Sequence, residues 1–236
     1  MLSTSSSVDI PMDSSQSSSQ SVWNMTWQHY RKHRMSMIGM YLLLGLIAIA
    51  LLAPVLPQDP FLVDLDESTR LRPPSSEHWF GTDKLGRDVL IRTLYGARIS
   101  LSVGFLATFL SIGLGTLVGA ASGYYGGIID NLMMRFVDVL FSLPIIFLII
   151  ILQSLSSKPS IYNVMLVLGI TSWMGPARLV RGEVLREREM EYVEASRAFG
   201  APSKWIIGRH LLPNIIGPVI VMATLRIGRI IILESA

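Results

Sequence analysis

The sequence predicts an all-α polytopic membrane protein with about five spans. Half of the 236 residues are hydrophobic, only 16% are charged, and the mean hydropathy is +0.48, which is too apolar for a soluble domain of this length. A membrane-spanning helix needs roughly 20 mainly apolar residues, and four uncharged runs have about that length or more. A fifth is cut short by Arg226 but continues apolar to Leu233. The five uncharged runs lie at 35–58, 99–129, 139–157, 159–177 and 210–225.

The N-terminal segment, 1–30, is predicted to be a disordered cytoplasmic tail. Ten of its first 21 residues are serine, and such a segment cannot bury enough apolar surface to offset its ordering entropy. Arg31, Lys32 and Arg34 lie at the start of the first span, 31–57, and the positive-inside rule therefore places the N-terminus in the cytoplasm. Successive crossings then place 57–97 and 156–163 outside, and 123–134 and 182–209 inside.

The segment 58–95 is predicted to be an extracytoplasmic loop. Beyond Pro73-Pro74, apolar residues recur at helical spacing from Val89 to Ala97, which predicts an interfacial helix at about 85–97 that leads into the second span. The rest of the chain, 96–236, is predicted to form the helical core of the membrane domain.

Glycines in the second span predict close helix packing. Gly115, Gly119 and Gly123 repeat every four residues and so share one helical face. A dinucleotide-binding fingerprint is excluded because Gly113-x-Gly115-x-x-Val118 lacks the third glycine and lies inside an apolar run.

Enzymatic sites find no support in the sequence. GTDKLGRD spaces two glycines like a P-loop, but Arg87-Asp88 replaces the required Lys and Ser/Thr, so any ATP hydrolysis falls to another chain. There is no cysteine, and the four histidines form no closely spaced metal pair. We therefore expect no catalytic residue, metal or bound cofactor, and no nucleic-acid partner.

Charged residues near the spans suggest ion pairs or a solute path. Arg135 is placed to pair with Asp138 at i,i+3, near Asp130. Arg226 and Arg229 share one face within the fifth span. They could line an aqueous translocation path and meet a carboxylate-bearing solute, could extend along the helix to reach the interface, or could mark an atypical segment.

A charged segment separates the fourth and fifth spans. A helix is predicted at about 187–199, with acidic residues first and Arg197 in its last turn, an order that complements the helix dipole. Tyr192, Ala195, Ser196 and Phe199 recur at i, i+3, i+4 and i+7 and form a narrow stripe. Gly200 is suited to ending the helix in a left-handed conformation, and Pro213 suits the start of the next span. Docking into a groove of another protein and lying on the inner leaflet both fit this pattern.

The motifs of this segment resemble the EAA loop of ABC-importer permease subunits. They are Glu194-Ala195-Ser196-x3-Gly200 followed by His210-Leu211-Leu212-Pro213-Asn214. HWFGTDKLGRDVLIRTLYGARISLSVG and SWMGPARLVRGEVLREREMEYVEASRAFGAPSKWIIGRHLLPNIIGP are similar to the dipeptide/oligopeptide/nickel branch. The resemblance covers about 30–236, and we refer to residues 187–213 as the EAA-like loop.

The resemblance implies a six-span helical bundle in the bacterial or archaeal cytoplasmic membrane that imports peptides or a related small solute. It implies as partners cytoplasmic ATP-binding subunits, which use the ATP, a second homologous permease, an extracytoplasmic solute-binding protein and membrane lipid. The implied coupling residues are Glu194 and Ala195 for docking, with Ser196 in place of the usual alanine, Phe199 as anchor, Gly200 as helix stop and Pro213 as the entry to span five.

The sequence departs from the family pattern at its C-terminal end. Arg226 and Arg229 stand where small or apolar residues are expected, and the sequence ends before a sixth span, so a truncated permease is expected. An ion-coupled secondary transporter or channel, and a fragment without transport activity, are the alternatives. The former would need polar relay residues within its spans, and no charged residue lies between 99 and 129.

Overall fold

A computed structural model describes residues 34–55, 69–155 and 160–234 of the chain. All the regular elements of these residues are helices, and the predicted all-α class is confirmed. The predicted disordered tail, Arg31 and Lys32 of the basic cluster, and parts of both predicted outer loops lie outside the described residues.

Helix α1 comprises Arg34–Leu52 and is followed by a 3₁₀ turn, Ala53–Val55. Its 19 residues extend about 28 Å at 1.5 Å per residue, close to the thickness of a bilayer core. Pro54, which lacks an N–H group, falls where the α-helix ends. The first predicted span is therefore present as one helix.

Helix α2 comprises Val89–Tyr125 and is continuous over 37 residues. It begins where the Asp88 carboxylate accepts a hydrogen bond from the Ile91 N–H at 3.0 Å, which satisfies one of the free donors of the first turn. The helix predicted at about 85–97 begins only at Val89 and runs without interruption into the second predicted span, and its interfacial position stays a prediction. There is no proline between Val89 and Ala97, and the single glycine there, Gly96, does not interrupt the helix.

Helices α3, Gly127–Ser142, and α4, Ile145–Ser154, meet at an angle of 87°. Pro144 explains the break, because a residue before proline disfavours the helical conformation, and Leu143 is extended with φ −85° and ψ 131°. The run predicted as the third span, 139–157, is therefore bent rather than straight.

Helices α5, Ile161–Thr171, and α6, Met174–Glu187, divide the run predicted as the fourth span. With 11 residues, α5 extends only about 16 Å. Among the described residues, three helices are long and apolar enough to cross a membrane, or four if the bent pair α3–α4 counts as one span.

The remaining helices follow in quick succession. They are α7, Glu191–Ala198; α8, Ser203–Ile206; a π-helix, Ile207–Leu211; and α9, Leu212–Glu234. From Ser203 to Glu234 the chain is helical throughout, over 32 residues.

The most extensive helix contact joins α2 to α6, through the glycines that the sequence singled out. A Cβ atom added at Gly115 would lie 2.4 Å from Pro176 Cβ, and one added at Gly119 would lie 2.4 Å from the Ala177 carbonyl oxygen. At Gly123 the Arg181 carbonyl oxygen would be 2.9 Å away. The two backbones approach too closely for any side chain, so the predicted packing role of this face is confirmed.

Candidate functional site

The EAA-like loop folds differently at its start from what the sequence predicted. A single helix over 187–199 is wrong, because α6 ends at Glu187 and α7 begins only at Glu191. Met190 is extended at φ −78° and ψ 144° and separates the two helices. Within α7, Glu191 lies in the first turn and Arg197 in the last, as the helix dipole favours.

Val193, which the predicted stripe left out, fixes α7 to the rest of the protein. Its side chain is completely buried and belongs to a cluster that includes Ile206 and Leu211. Tyr192 packs at the edge of the same cluster. The opposite side of α7 is exposed and carries most of the predicted coupling residues, namely Glu194, Ala195, Phe199 and Gly200, with Ser196 half-buried beside them.

Phe199 is 91% exposed at the C-terminal end of α7. Gly200 follows with φ +78°, the left-handed conformation that its position in the sequence predicted. Two hydrogen bonds complete this helix end: Gly200 N–H donates to the Arg197 carbonyl at 2.9 Å, and Ala201 N–H donates to the Ser196 carbonyl at 3.0 Å. This is a Schellman motif, and it leaves the phenyl ring at the apex of a fixed turn.

Side-chain hydrogen bonds join the two ends of the EAA-like loop. The Tyr192 hydroxyl donates to Glu187 Oε2 at 2.7 Å and accepts from Asn214 Nδ2 at 2.8 Å. Burial and the neighbouring Glu187 carboxylate raise the pKa of Tyr192, so its hydroxyl stays protonated and able to donate. Ser196 Oγ donates to the Tyr192 carbonyl at 2.7 Å and lies 3.3 Å from His210 Nε2.

Pro213 lies in the first turn of α9, where a proline is tolerated because the first N–H groups of a helix lack internal partners. The chain is nevertheless already helical before it. The π-helix immediately upstream ends with the Leu212 N–H bonded to the Ile207 carbonyl. The helix thus passes from loop to span without a stop.

A partly buried ion pair lies at the corner between α2, α3 and α6. The Asp130 carboxylate accepts from Arg181 Nε at 2.5 Å and Arg181 Nη2 at 2.6 Å, and also from the buried Ser122 hydroxyl. Asp138 pairs with Arg178 at 2.6 Å, so the expected Arg135–Asp138 pair is wrong. Both acidic residues of α3 are paired with α6 instead.

Arg226 and Arg229 lie on α9, in a different part of the chain from the exposed residues of α7. Arg226 Nη2 donates to the Ser172 carbonyl at the end of α5. The side chain is thus directed onto protein, which argues against an extended conformation toward the interface. Arg229 is exposed and lines the same cavity as Arg226.

The long apolar helices and the close glycine packing between α2 and α6 define the class of the protein, which is an all-α polytopic membrane protein. Two family models match the chain. Residues 96–236 match the binding-protein-dependent transport system inner membrane component, and residues 21–74 match the N-terminal TM domain of oligopeptide transport permease C.

Curated relatives agree with the family models. The dipeptide transport system permease protein DppC of Bacillus subtilis is 43% identical over 210 residues, which cover 89% of this chain and 65% of the relative. The oligopeptide transport system permease protein OppC of the same organism is 35% identical, covering 91% and 70%. The glutathione transport system permease protein GsiD of Escherichia coli O6:K15:H31 is 38% identical, covering 89% and 69%.

The chain belongs to the family of binding-protein-dependent transport system inner membrane components. The resemblance to ABC-importer permeases of the peptide branch is therefore confirmed. The chain spans 65 to 70% of the length of the three relatives.

Proposed function

We propose that the protein is the membrane-spanning permease subunit of an ATP-driven importer of di- or oligopeptides or a related small solute. The family and the relatives' names for dipeptide, oligopeptide and glutathione transport support this proposal. The partners are cytoplasmic ATP-binding subunits, a second homologous permease and an extracytoplasmic solute-binding protein, with lipid around the spans. This chain binds no cofactor and performs no catalysis, and the ATP is used by the partner subunit.

The exposed side of α7 is the contact with the ATPase subunit in this proposal. The observation that carries it is Phe199, a large apolar side chain that is 91% exposed on a rigid turn. An exposed ring on a fixed turn suits an interface anchor, because aromatic side chains commonly dominate the energy of a protein interface. Glu194 and Ala195 are exposed on the same helix, Gly200 ends it in the left-handed conformation, and Pro213 lies at the entry to α9.

The bidentate Asp130–Arg181 pair connects this contact to the membrane helices. Three residues separate α7 from α6, and α6 is joined to α2 by close backbone packing and to α3 by the partly buried ion pair. We infer that α2, α3 and α6 move together when the ATPase subunit moves.

The test is ATP-dependent peptide uptake in proteoliposomes that contain both permeases, the ATPase subunits and the binding protein. In a titration of the same proteoliposomes with the ATPase subunit, Phe199→Ala should raise the dissociation constant of that subunit about thirtyfold. This is the change expected for the loss of an interface anchor that contributes about 2 kcal/mol. Thermal stability of the permease should not change, because the ring is exposed.

Phe80→Ala is the matched control. Phe80 is also exposed, at 59%, but precedes α2 on the side predicted to be extracytoplasmic. We expect it to leave ATPase binding unchanged. Wild-type affinity in the Phe199→Ala variant, or uptake driven by an ion gradient in the absence of ATP, would contradict the proposed function.

A further inference from the structure

Arg226 lies well inside the last described helix. It is 14 residues from the start of α9 at Leu212 and eight from its end at Glu234. At 1.5 Å per residue these separations correspond to about 21 Å and 12 Å along the helix axis. A guanidinium at such a depth in an apolar helix is energetically unfavourable and marks a functional position by default.

The guanidinium group of Arg226 is fixed in position but not fully hydrogen-bonded. Nη2 donates to the Ser172 carbonyl, which also accepts from the buried Ser111 hydroxyl at 2.8 Å. Nη1 passes over Gly175, where an added Cβ would lie 3.0 Å from it. Nε is buried and has no hydrogen-bond partner. The guanidinium therefore carries a buried donor that no group among the described residues satisfies, while the side chain as a whole lines a cavity.

No carboxylate neutralises the two arginines within 34–55, 69–155 and 160–234. The nearest acidic residue along α9 is Glu234, which accepts a hydrogen bond from Ser100 at 2.9 Å. On α3, Asp138 pairs with Arg178. A partly buried positive charge with another arginine one turn away is costly unless an anion joins it.

A cavity of about 110 Å³ adjoins both arginines. It lies where the bend between α3 and α4 faces the break between α5 and α6, and its lining includes Phe141, Thr171 and Ser172. A cavity needs only about 10–15 Å³ of such space to hold one water molecule, so this one has room for a carboxylate group and some water.

We propose that this cavity binds the terminal carboxylate of the transported peptide, with Arg226 and Arg229 as the charged donors. The inference rests on the proposed function and gives it a site of contact. A terminal carboxylate is present on every unmodified peptide whatever its side chains, and a planar guanidinium matches its geometry. The site therefore recognises peptides as a class and does not discriminate between their side chains.

The experiment compares three substrates in the complete reconstituted transporter. They are trialanine, trialanine amide, which lacks the carboxylate, and N-acetyl-trialanine, which keeps it. The binding protein is loaded to saturation with each peptide beforehand, so that delivery to the permease is equal. For the wild type we expect faster uptake of the two peptides that carry a carboxylate.

Arg226→Gln should reduce the ratio of acid to amide uptake by about tenfold or more, as expected for the loss of a charge-assisted hydrogen bond. Arg226→Lys should retain part of the ratio because it retains the charge, and it keeps the test decisive if the glutamine variant does not fold. Arg229→Gln should reduce the ratio less, since this residue is more exposed. Arg98→Gln, on the exposed surface of α2, is the matched control and should leave the ratio unchanged.

An equal fall in uptake of acid and amide in both Arg226 variants would overturn the site, because it would indicate a structural role. An unchanged ratio would overturn it as well. Either result leaves ATP-dependent uptake by the wild type intact, so the proposed function would stand. Failure of the wild type to take up any of the three peptides would overturn both.

Discussion

Gly200 fixes the direction in which the chain leaves α7. Its φ of +78° lies in the left-handed region, where residues with a Cβ atom are disfavoured and β-branched ones most of all. No atom lies within 4 Å of the position that a Cβ would take. The constraint at this residue is therefore conformational, and crowding plays no part.

Gly200→Val should move the Phe199 ring and uncouple ATP hydrolysis from uptake. Gly200→Asn is the matched control, because asparagine tolerates the left-handed region. We expect the asparagine variant to keep most of the coupling, measured as peptide molecules imported per ATP hydrolysed. Equal coupling ratios in the two variants would show that this backbone conformation is not needed.

Sequence reasoning predicted the backbone of Gly200 correctly but did not identify Val193 as the residue that α7 buries. Glycine followed by Pro202 is a local signal, and local signals can be read from one sequence. The burial of Val193 depends on Ile206 and Leu211, which reach it only after the chain turns back. Helical spacing alone could not show which side of so short a helix faces the protein.

At the scale of elements, the contact between α2 and α6 holds the membrane domain together. Its glycines have no free space: a Cβ at Gly119 would lie 2.4 Å from a backbone oxygen, which cannot move as a side chain could. Gly113, on another side of α2, has nothing within 4 Å of its Cβ position. One helix thus carries both a crowded glycine and an open one.

Gly119→Ala should destabilise the protein by about 1–3 kcal/mol, as overpacking typically does. Gly113→Ala should be neutral or slightly stabilising, because alanine favours the helix by about 1 kcal/mol. Unfolding in mixed micelles, followed by circular dichroism, measures both. Similar midpoints for the two variants would mean that the helices separate easily at this contact.

Hydropathy predicted where apolar helices lie but not where they break. The runs 139–157 and 159–177 are uncharged throughout, yet each contains a break, at Leu143-Pro144 and at Ser172-Trp173. Hydropathy measures the preferred surroundings of side chains, while a break depends on the backbone. Pro144 was an available signal for the first break. The carbonyl of Ser172 is instead satisfied by Ser111 and Arg226, which lie far away in the chain.

At the scale of the whole molecule, ion pairs connect helices that are distant in sequence. Asp130 and Arg181 are 51 residues apart, and Asp138 and Arg178 are 40 apart. The sequence suggested a neighbouring partner for Asp138 because only i,i+3 and i,i+4 pairs can be recognised without a fold. These long-range pairs could be identified only from the structure.

The two ion pairs should contribute very differently to stability. Asp130→Asn should cost about 2–4 kcal/mol, because it removes one partner of a largely buried pair and leaves Arg181 and Ser122 without their acceptor charge. Asp138→Asn should cost less than about 1 kcal/mol, since both members of the Asp138–Arg178 pair are roughly half exposed. Thermal unfolding of both variants in one detergent provides the comparison, and a cost for Asp138→Asn equal to that for Asp130→Asn would contradict the assignment.

The hydrogen bonds around Tyr192 also bear on the order in which the chain folds. Tyr192 is five residues from Glu187 and 22 from Asn214, and Ser196 is 14 from His210. Short separations like these close small loops, whose entropic cost is low, and such contacts form early. The EAA-like loop and Asn214 can therefore form these hydrogen bonds without waiting for the long-range contacts between α2 and α6.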